Sequence, residues 1–502
     1  MLTSLYRDIT AKARFESFPI HVTGYILTAE AAVMGLCFLV FGCEGHAAPL
    51  TALVLTMFAL GSVGVFLFKS DDKVAPVKGI ITMALGFLAL CVFGAVPYMI
   101  FGFGAVESLF ESISGFTTTG LTSVSDVTSL PDPVLVWRAL TGWSGGITFI
   151  CLFSLFLTSF GLGGRFLLST DITNDSKEFT NRIKTLAFRF VGIYAVCTGV
   201  LALILLICGN GFIPSICLAM STISTTGFAV ANDEVASLSM ISKVFIGLFM
   251  VIGSTNFLTT YTAILKRSLR PYKEDTELKY LLAWFVFMIA VLFLFLLRAG
   301  YPLNSTGDVI DTILYALSVG TTTGFVFHAG DFPLAAVLFL CIASLIGGCA
   351  DSASGGVKIS RMILTLKMVL ATIKNVIYPN AVLSVKYHKK PVRNEVVYMS
   401  MVIIMLFLIT IVAGAAAIYA FNIGFGDSLI LSISSVTTVG SGLFSLASVE
   451  INTGLMAVMC ILMWIGRFEV ILVLIMFTPS FWRNYIMNGV RDLRKKGYGR
   501  RR

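Results

Sequence analysis

Runs of about twenty or more apolar residues follow one another along this chain, and four of the gaps between them hold a short threonine–glycine cluster, at 117–120, 225–227, 321–324 and 437–440. About 20 apolar residues cross a bilayer as a helix. In lipid every backbone N–H and C=O must be satisfied internally, so irregular backbone at membrane depth is tolerated only where it is buried in protein or lines a water-filled path. Four such loops around one axis would present a ring of backbone carbonyls, the construction of a cation filter. The chain is 57% hydrophobic and 13% charged, about half the charged share of soluble domains, so a water-soluble fold is excluded. The fold class expected is an all-α integral membrane protein, with two lead-in helices and four pseudo-symmetric helix–pore-loop–helix repeats around one pore.

The spacing predicts lead-in helices at 19–42 and 49–68. A unit then recurs four times: a long apolar helix, a half-helix too short to span, a Thr–Gly cluster, and a second long helix. The first helices fall at 76–101, 185–208, 279–298 and 395–421. The half-helices fall at 105–117, 212–224, 308–320 and 426–437. The second helices fall at 134–160, 240–265, 333–375 with a break, and 453–478. Each cluster glycine is followed by another at a similar offset: Gly120 to Gly145 is 25, Gly227 to Gly253 is 26, Gly324 to Gly347 is 23 and Gly440 to Gly466 is 26. Units that cannot be stable alone imply packing around a shared axis. The chain divides into lead-in helices (1–70), repeat 1 (71–162), repeat 2 (163–268), repeat 3 (269–378, with an intramembrane loop at 347–357), repeat 4 (379–480) and a basic tail (481–502).

Net charge is +9, but its placement says more. Lys and Arg are absent from 101–137, 208–242, 299–357 and 421–466, the stretches that hold the four clusters. Those stretches do carry acids, among them Glu107, Glu111, Asp126, Asp311 and Asp427. Basic residues gather at 7–14, 69–78, 165–184, 266–279, 358–393 and 483–502, which the positive-inside rule makes cytoplasmic. The clusters then enter from outside, where acids without bases raise the local cation concentration. The basic loops follow from topology and imply no nucleic acid. The ten cysteines are scattered, with no CxxC and no Cys/His cluster, and there are only four histidines. Acids dispersed over four outer loops, unpaired with His or Cys, argue against a membrane-embedded enzyme.

A dehydrated cation needs several oxygens at fixed distance. Carbonyls supply them without a full charge, so the ion can leave again. Glycine adopts the required backbone angles at little steric cost, threonine adds a hydroxyl, and each half-helix turns its negative end to the cluster. The candidate filter residues are Thr118, Thr119, Gly120, Thr225, Thr226, Gly227, Thr322, Thr323, Gly324, Thr438, Val439 and Gly440. The fourth cluster, Thr438-Val439-Gly440-Ser441-Gly442, is close to the TVGYG pattern of potassium channels.

The strings Ser114-Gly115-Phe116-Thr117-Thr118-Thr119-Gly120 and Ser221-Thr222-Ile223-Ser224-Thr225-Thr226-Gly227-Phe228 resemble the Trk/Ktr/HKT superfamily of potassium transporters. So do Gly347-Gly348-Cys349-Ala350 and Gly355-Gly356-Val357-Lys358. The lead-in helices and the stretch 137–146 are most similar to its TrkH branch. The resemblance covers nearly the whole chain. It implies potassium uptake across a bacterial plasma membrane, a homodimer with one pore per protomer, and a cytosolic NAD/ATP-binding regulatory ring of the TrkA type. Any nucleotide would then sit on the regulator, with no cofactor on this chain beyond the transported K+. One departure stands out: TrkH proteins carry an Asn-Asn-Leu-Gly-Pro-Gly-like fourth loop, whereas Thr437-Thr438-Val439-Gly440-Ser441-Gly442 is closer to Ktr proteins. The alternative function is a sodium or mixed-cation transporter of the same fold; Gly120 favours potassium, because plant relatives that carry sodium have serine there.

The third second helix is interrupted by ten small or polar residues, 347–356, which cannot form a lipid-facing helix. In the resembling family this position is a loop that blocks the pore below the filter. The candidate gate residues are Gly347, Gly348, Asp351, Gly355, Gly356 and Arg467. Arg467 lies about 22 Å into the fourth second helix at about 1.5 Å per residue, and an intramembrane ionisable residue is a functional hypothesis. A cation at the pore wall repels potassium. Glu469, two residues on, faces another side of the helix, so Asp351 is the expected partner of Arg467, in direct contact or through water.

Overall fold

The computed structural model describes residues 15–16, 18–69, 76–156, 176–232, 234–303, 305–327, 332–378, 385–387, 390–443 and 452–483. The basic stretches at 7–14 and 165–175, and the tail from 484, lie outside them. The described chain is nearly all helix. The exceptions are two strand pairs of two residues each, Phe15–Glu16 beside Phe68–Lys69 and Lys386–Tyr387 beside Lys390–Pro391.

Two helices, α1 (Phe18–Phe41) and α2 (Ala47–Leu67), form the lead-in hairpin. Small residues let them touch: a Cβ built on Gly24 would lie 2.7 Å from the Gly61 carbonyl. Close approach through small residues is how helices associate in lipid, where no hydrophobic force drives them together.

Repeat 1 comprises α3 (Pro76–Ile100), the half-helix α4 (Ala105–Phe116) and α5 (Asp132–Phe156). Repeat 2 comprises α6 (Ser176–Ile207), α7 (Phe212–Ile223), α8 (Met240–Ser254) and α9 (Phe257–Leu265). Repeat 3 comprises α10 (Thr276–Arg298), α11 (Thr306–Gly320), α12 (Leu334–Ser344) and α13 (Ile359–Ile377). Repeat 4 comprises α14 (Asn394–Tyr419), α15 (Phe425–Thr437), α16 (Thr453–Phe468) and α17 (Val470–Phe477). Seven of the described helices are long and apolar enough to cross a membrane.

The same turn follows every first helix. Gly102, Gly209, Gly300 and Asn422 all take left-handed backbone, the conformation that glycine and asparagine adopt at helix ends. The chain then reverses into the half-helices, whose N-caps are Gly104, Gly211, Ser305 and Gly424.

The second helices depart from expectation. A break was foreseen only in repeat 3. The structure also bends α8 against α9 by 106° and α16 against α17 by 105°. The first of these bends has a local cause: the Asn256 side chain accepts the backbone N–H groups of Leu258 and Thr259 at 2.9 and 3.4 Å, capping a new helix. The second centres on Glu469, which holds left-handed backbone at φ 63° and pairs with Arg361 of repeat 3.

Candidate functional site

Each half-helix delivers its last residues to the centre of the molecule, and there the four clusters share one backbone. Thr118, Thr225, Thr322 and Thr438 have φ of 53, 52, 57 and 57°. Two residues later Gly120, Gly227, Gly324 and Gly440 have φ of 75, 81, 85 and 70°. The residue between them stays outside the left-handed region; Val439 sits at φ −84°. Threonine rarely tolerates this region because its branched side chain crowds the backbone. Four such threonines at equivalent places mark a backbone imposed by its surroundings, the kind of strain that collects at functional sites.

Glycine contacts then order the repeats around a closed ring. A Cβ on Gly120 would lie 1.8 Å from the carbonyl oxygen of Thr226, and one on Gly227 would lie 2.1 Å from that of Thr323. One on Gly324 would lie 1.9 Å from that of Val439, and one on Gly440 would lie 1.8 Å from that of Thr119. Each glycine therefore packs on the central carbonyl of the next repeat, and the fourth closes on the first.

The repeat unit is four residues long in every case, with Ser224 opening the second cluster. In repeats 1 to 3 the first and third side chains bond each other: Thr117 with Thr119 at 2.9 Å, Ser224 with Thr226 at 2.6 Å, and Thr321 with Thr323 at 2.8 Å. These hydroxyls serve the loop itself. The hydroxyls of Thr118 and Thr438 have no protein partner.

Sequence reasoning missed a serine six residues before each ring glycine: Ser114, Ser221, Ser318 and Ser434. Their backbone carbonyls accept the N–H of Thr119, Thr226, Thr323 and Val439 at 2.9, 2.9, 2.8 and 3.1 Å. The constant offset from each glycine was the available signal.

It also missed that each base-free stretch ends on a buried cation: Arg138, Lys243, Lys358 and Arg467. Arg138 braces the exit of the first cluster, and Lys243 joins repeats 2 and 3. Arg138 pairs with buried Glu111 at 3.2 Å, stacks over Phe228 at 4.3 Å and reaches the Ala229 carbonyl of the next repeat at 3.5 Å. Glu111 also accepts the Ser123 N–H and the Thr122 hydroxyl at 2.7 and 2.8 Å, fixing the exit of loop 1. Lys243 of repeat 2 donates to both carboxylate oxygens of Asp311 of repeat 3, at 2.9 and 2.8 Å.

Lys358 and Arg467 lie on the threonine side, around the loop at 347–357. That loop sits directly against the ring. The Gly355 N–H donates to the Thr322 hydroxyl at 2.7 Å, and Ser354 meets the same hydroxyl at 3.0 Å. A Cβ on Gly355 would lie 2.0 Å from the Thr438 hydroxyl. The rest of the loop is tied to three other elements. Cys349 and Ala353 donate their N–H groups to Ser254 and Gly253 at 2.8 and 3.2 Å. Ala350 N–H donates to Glu277 at 2.9 Å, and Glu277 accepts from the hydroxyl of Tyr387 on the strand Lys386–Tyr387.

Two cations hold the loop's carbonyls. Arg467 donates Nη1 to Ala353 O at 2.8 Å and lies over the Phe149 ring at 4.0 Å. Its Nε and Nη2 have no protein partner. Lys358 donates Nζ to Ser354 O and reaches Ser352 O at 3.5 Å. The expected direct contact of Arg467 with Asp351 is therefore replaced by one with Ala353. Asp351 instead faces Asn256, whose Nδ2 donates to it at 3.4 Å, because left-handed backbone at Asp351 (φ 55°) turns it toward the α8–α9 bend.

Not every glycine offset has the same meaning. Cβ atoms on Gly145, Gly253 and Gly466 would lie 2.2, 2.9 and 2.1 Å from the backbone oxygens of Phe116, Ile223 and Val436, each one residue before its cluster. Gly347 differs: it lies in the loop and packs on Gly355 at 2.1 Å, so its offset of 23 is not the same feature. Among the described residues no group of three or more His, Cys, Asp and Glu could hold a metal ion.

Residues 50–484 match a family described as TrkH, cation transport protein. The Trk system potassium uptake protein TrkH of Halomonas elongata is 27% identical over 427 residues, covering 81% of this chain and 86% of its own. The Trk system potassium uptake protein TrkG of Escherichia coli is 27% identical over 432 residues, covering 83% and 87%. The crystal structure of the potassium transporter TrkH from Vibrio parahaemolyticus aligns with a TM-score of 0.82 at 23% identity, over 92% of this chain and 98% of that one.

Proposed function

The chain belongs to the TrkH family of cation transport proteins, and we propose on that premise that it takes up potassium through the four-loop ring. It is a multi-pass membrane protein and a transporter, not an enzyme. The observation that carries the reading is ring closure: each of four left-handed glycines packs on the next repeat's carbonyl, in chain order, around one axis. Backbone carbonyls suit potassium, because they replace its hydration shell without binding it too tightly to leave. The half-helices add their negative ends at the same place.

The loop at 347–357 is the gate in this reading. Its contacts with Thr322 and Thr438 support that role, since it lies across the threonine side of the ring. Arg467 and Lys358 occupy carbonyls that a passing cation would otherwise use, and their charge repels it. Opening then requires the loop to leave both cations together. The Tyr387–Glu277–Ala350 chain of hydrogen bonds supports control from the cytosolic side, where the resemblance puts a nucleotide-binding ring. The homodimer belongs to the same proposal and is carried by the resemblance alone.

Purified protein in liposomes tests the transport reading. Rubidium influx down its gradient, blocked by potassium and exceeding sodium influx, is the expected result. Sodium influx equal to rubidium influx would favour a mixed-cation transporter, and no influx of either ion would remove the reading.

A further inference from the structure

The residues after the four ring glycines are Leu121, Phe228, Phe325 and Ser441. Three are large and apolar. The fourth carries a hydroxyl, and its Oγ donates to the Gly120 carbonyl of repeat 1 at 2.8 Å. Among the described residues no other ring-glycine carbonyl accepts a hydrogen bond from a neighbouring repeat's side chain. Ser441 sits on the short turn Gly440–Gly442, and that turn is held from several sides. The Ser434 hydroxyl donates to Gly440 O at 2.6 Å, and the Tyr315 hydroxyl of repeat 3 donates to Gly442 O at 2.6 Å. A Cβ on Gly442 would lie 2.6 Å from Gly324 Cα, and one on Gly440 would lie 1.8 Å from Thr119 O. The hydroxyl therefore has a fixed position on three repeats at once.

A smaller cation needs shorter oxygen distances, so a ring discriminates against it only if its carbonyls resist moving inward. We propose that Ser441 is a positioning residue that holds the Gly120 carbonyl at the spacing suited to potassium, and so sets the discrimination against sodium. The tether is directional and local: it acts on the glycine-side carbonyl of repeat 1, at the seam where repeat 4 meets repeat 1. This inference rests on the potassium reading above.

The test compares wild type, Ser441→Ala and Ser441→Thr, each as the full chain in liposomes, with rubidium and sodium influx measured separately. Loss of one hydrogen bond should lower the rubidium-to-sodium ratio of Ser441→Ala roughly two- to tenfold, through faster sodium entry. Ser441→Thr keeps the hydroxyl and should stay within about twofold of wild type, the lower end of that range. A ratio for Ser441→Ala equal to wild type overturns the inference while leaving the potassium reading intact. A wild type without rubidium preference overturns the reading and the inference with it. Should Ser441→Ala fail to purify folded, Ser441→Val against Ser441→Thr poses the same contrast at equal size, and equal ratios there overturn the inference.

Discussion

A glycine at 120, 227, 324 or 440 is required twice over, by left-handed backbone and by a neighbouring carbonyl about where a side chain would begin. Gly227→Ala would place its Cβ 2.1 Å from Thr323 O, and the contact is backbone, so it cannot rotate away. Rubidium influx should fall at least about tenfold while the protein still purifies, since a shift costing about 1.4 kcal/mol already means tenfold. These glycines were legible because Thr-Gly strings stand out against apolar runs. The preceding threonines were legible as residues but not as strained ones: a branched side chain in left-handed backbone contradicts local preference, and only packing between repeats imposes it. Of the buried cations only Arg467 was read. Arg138 and Lys243 looked like ordinary edges of base-free stretches, yet each has a carboxylate partner on a half-helix. Glu111→Gln should cost about 3–5 kcal/mol in detergent unfolding, because Arg138 is left buried and unpaired. Arg270→Gln removes an exposed pair with Glu274 and should cost under about 1 kcal/mol.

At the scale of elements, half-helices and three of the four first helices were readable almost to their ends, because apolar length and Gly-rich turns are local signals; α6 begins at Ser176, nine residues before the expected 185, because its first turns are charged and carry no apolar signal. The second helices were not. The α8–α9 bend had a local sign in Gly253-Ser254-Thr255-Asn256, small residues followed by a capping side chain. The α16–α17 bend had none: Gly466-Arg467-Phe468-Glu469 reads as continuous helix, and the bend accompanies the buried Arg361–Glu469 pair from another repeat. Dismissing Glu469 as a partner of Arg467 was sound geometry, but it left open what Glu469 does bind. The loop at 347–357 gathers contacts from all of these bends, and its carbonyls are held by Arg467 and Lys358. Arg467→Ala should raise unstimulated rubidium influx roughly tenfold or more, the value of one charge-assisted hydrogen bond, without changing the rubidium-to-sodium ratio. Influx unchanged from wild type would remove Arg467 from the gate. Tyr387→Phe removes the Tyr387–Glu277 hydrogen bond and should raise influx in the same direction, roughly two- to tenfold for one hydrogen bond.

For the whole molecule, four units unequal in sequence build one nearly symmetric ring. Symmetry lies in the backbone: the same φ pair, the same serine carbonyl behind it, and the same glycine-to-carbonyl contact at every seam. The inequality lies in what surrounds it. Repeat 3 supplies the loop, repeat 4 supplies Val439, Ser441 and Arg467, and repeat 1 carries the lead-in hairpin on its flank. In the proposed reading control thus falls on one side of the axis, while ion contacts are shared by all four. The central claim is that a dehydrated cation rests inside this ring. Locating rubidium by anomalous scattering in crystals of the whole protein tests it most directly. The account predicts a peak on the axis, surrounded by the 118–120, 225–227, 322–324 and 438–440 segments and weakened by excess potassium. A rubidium peak elsewhere, or none in the ring of a protein that transports rubidium, would contradict it.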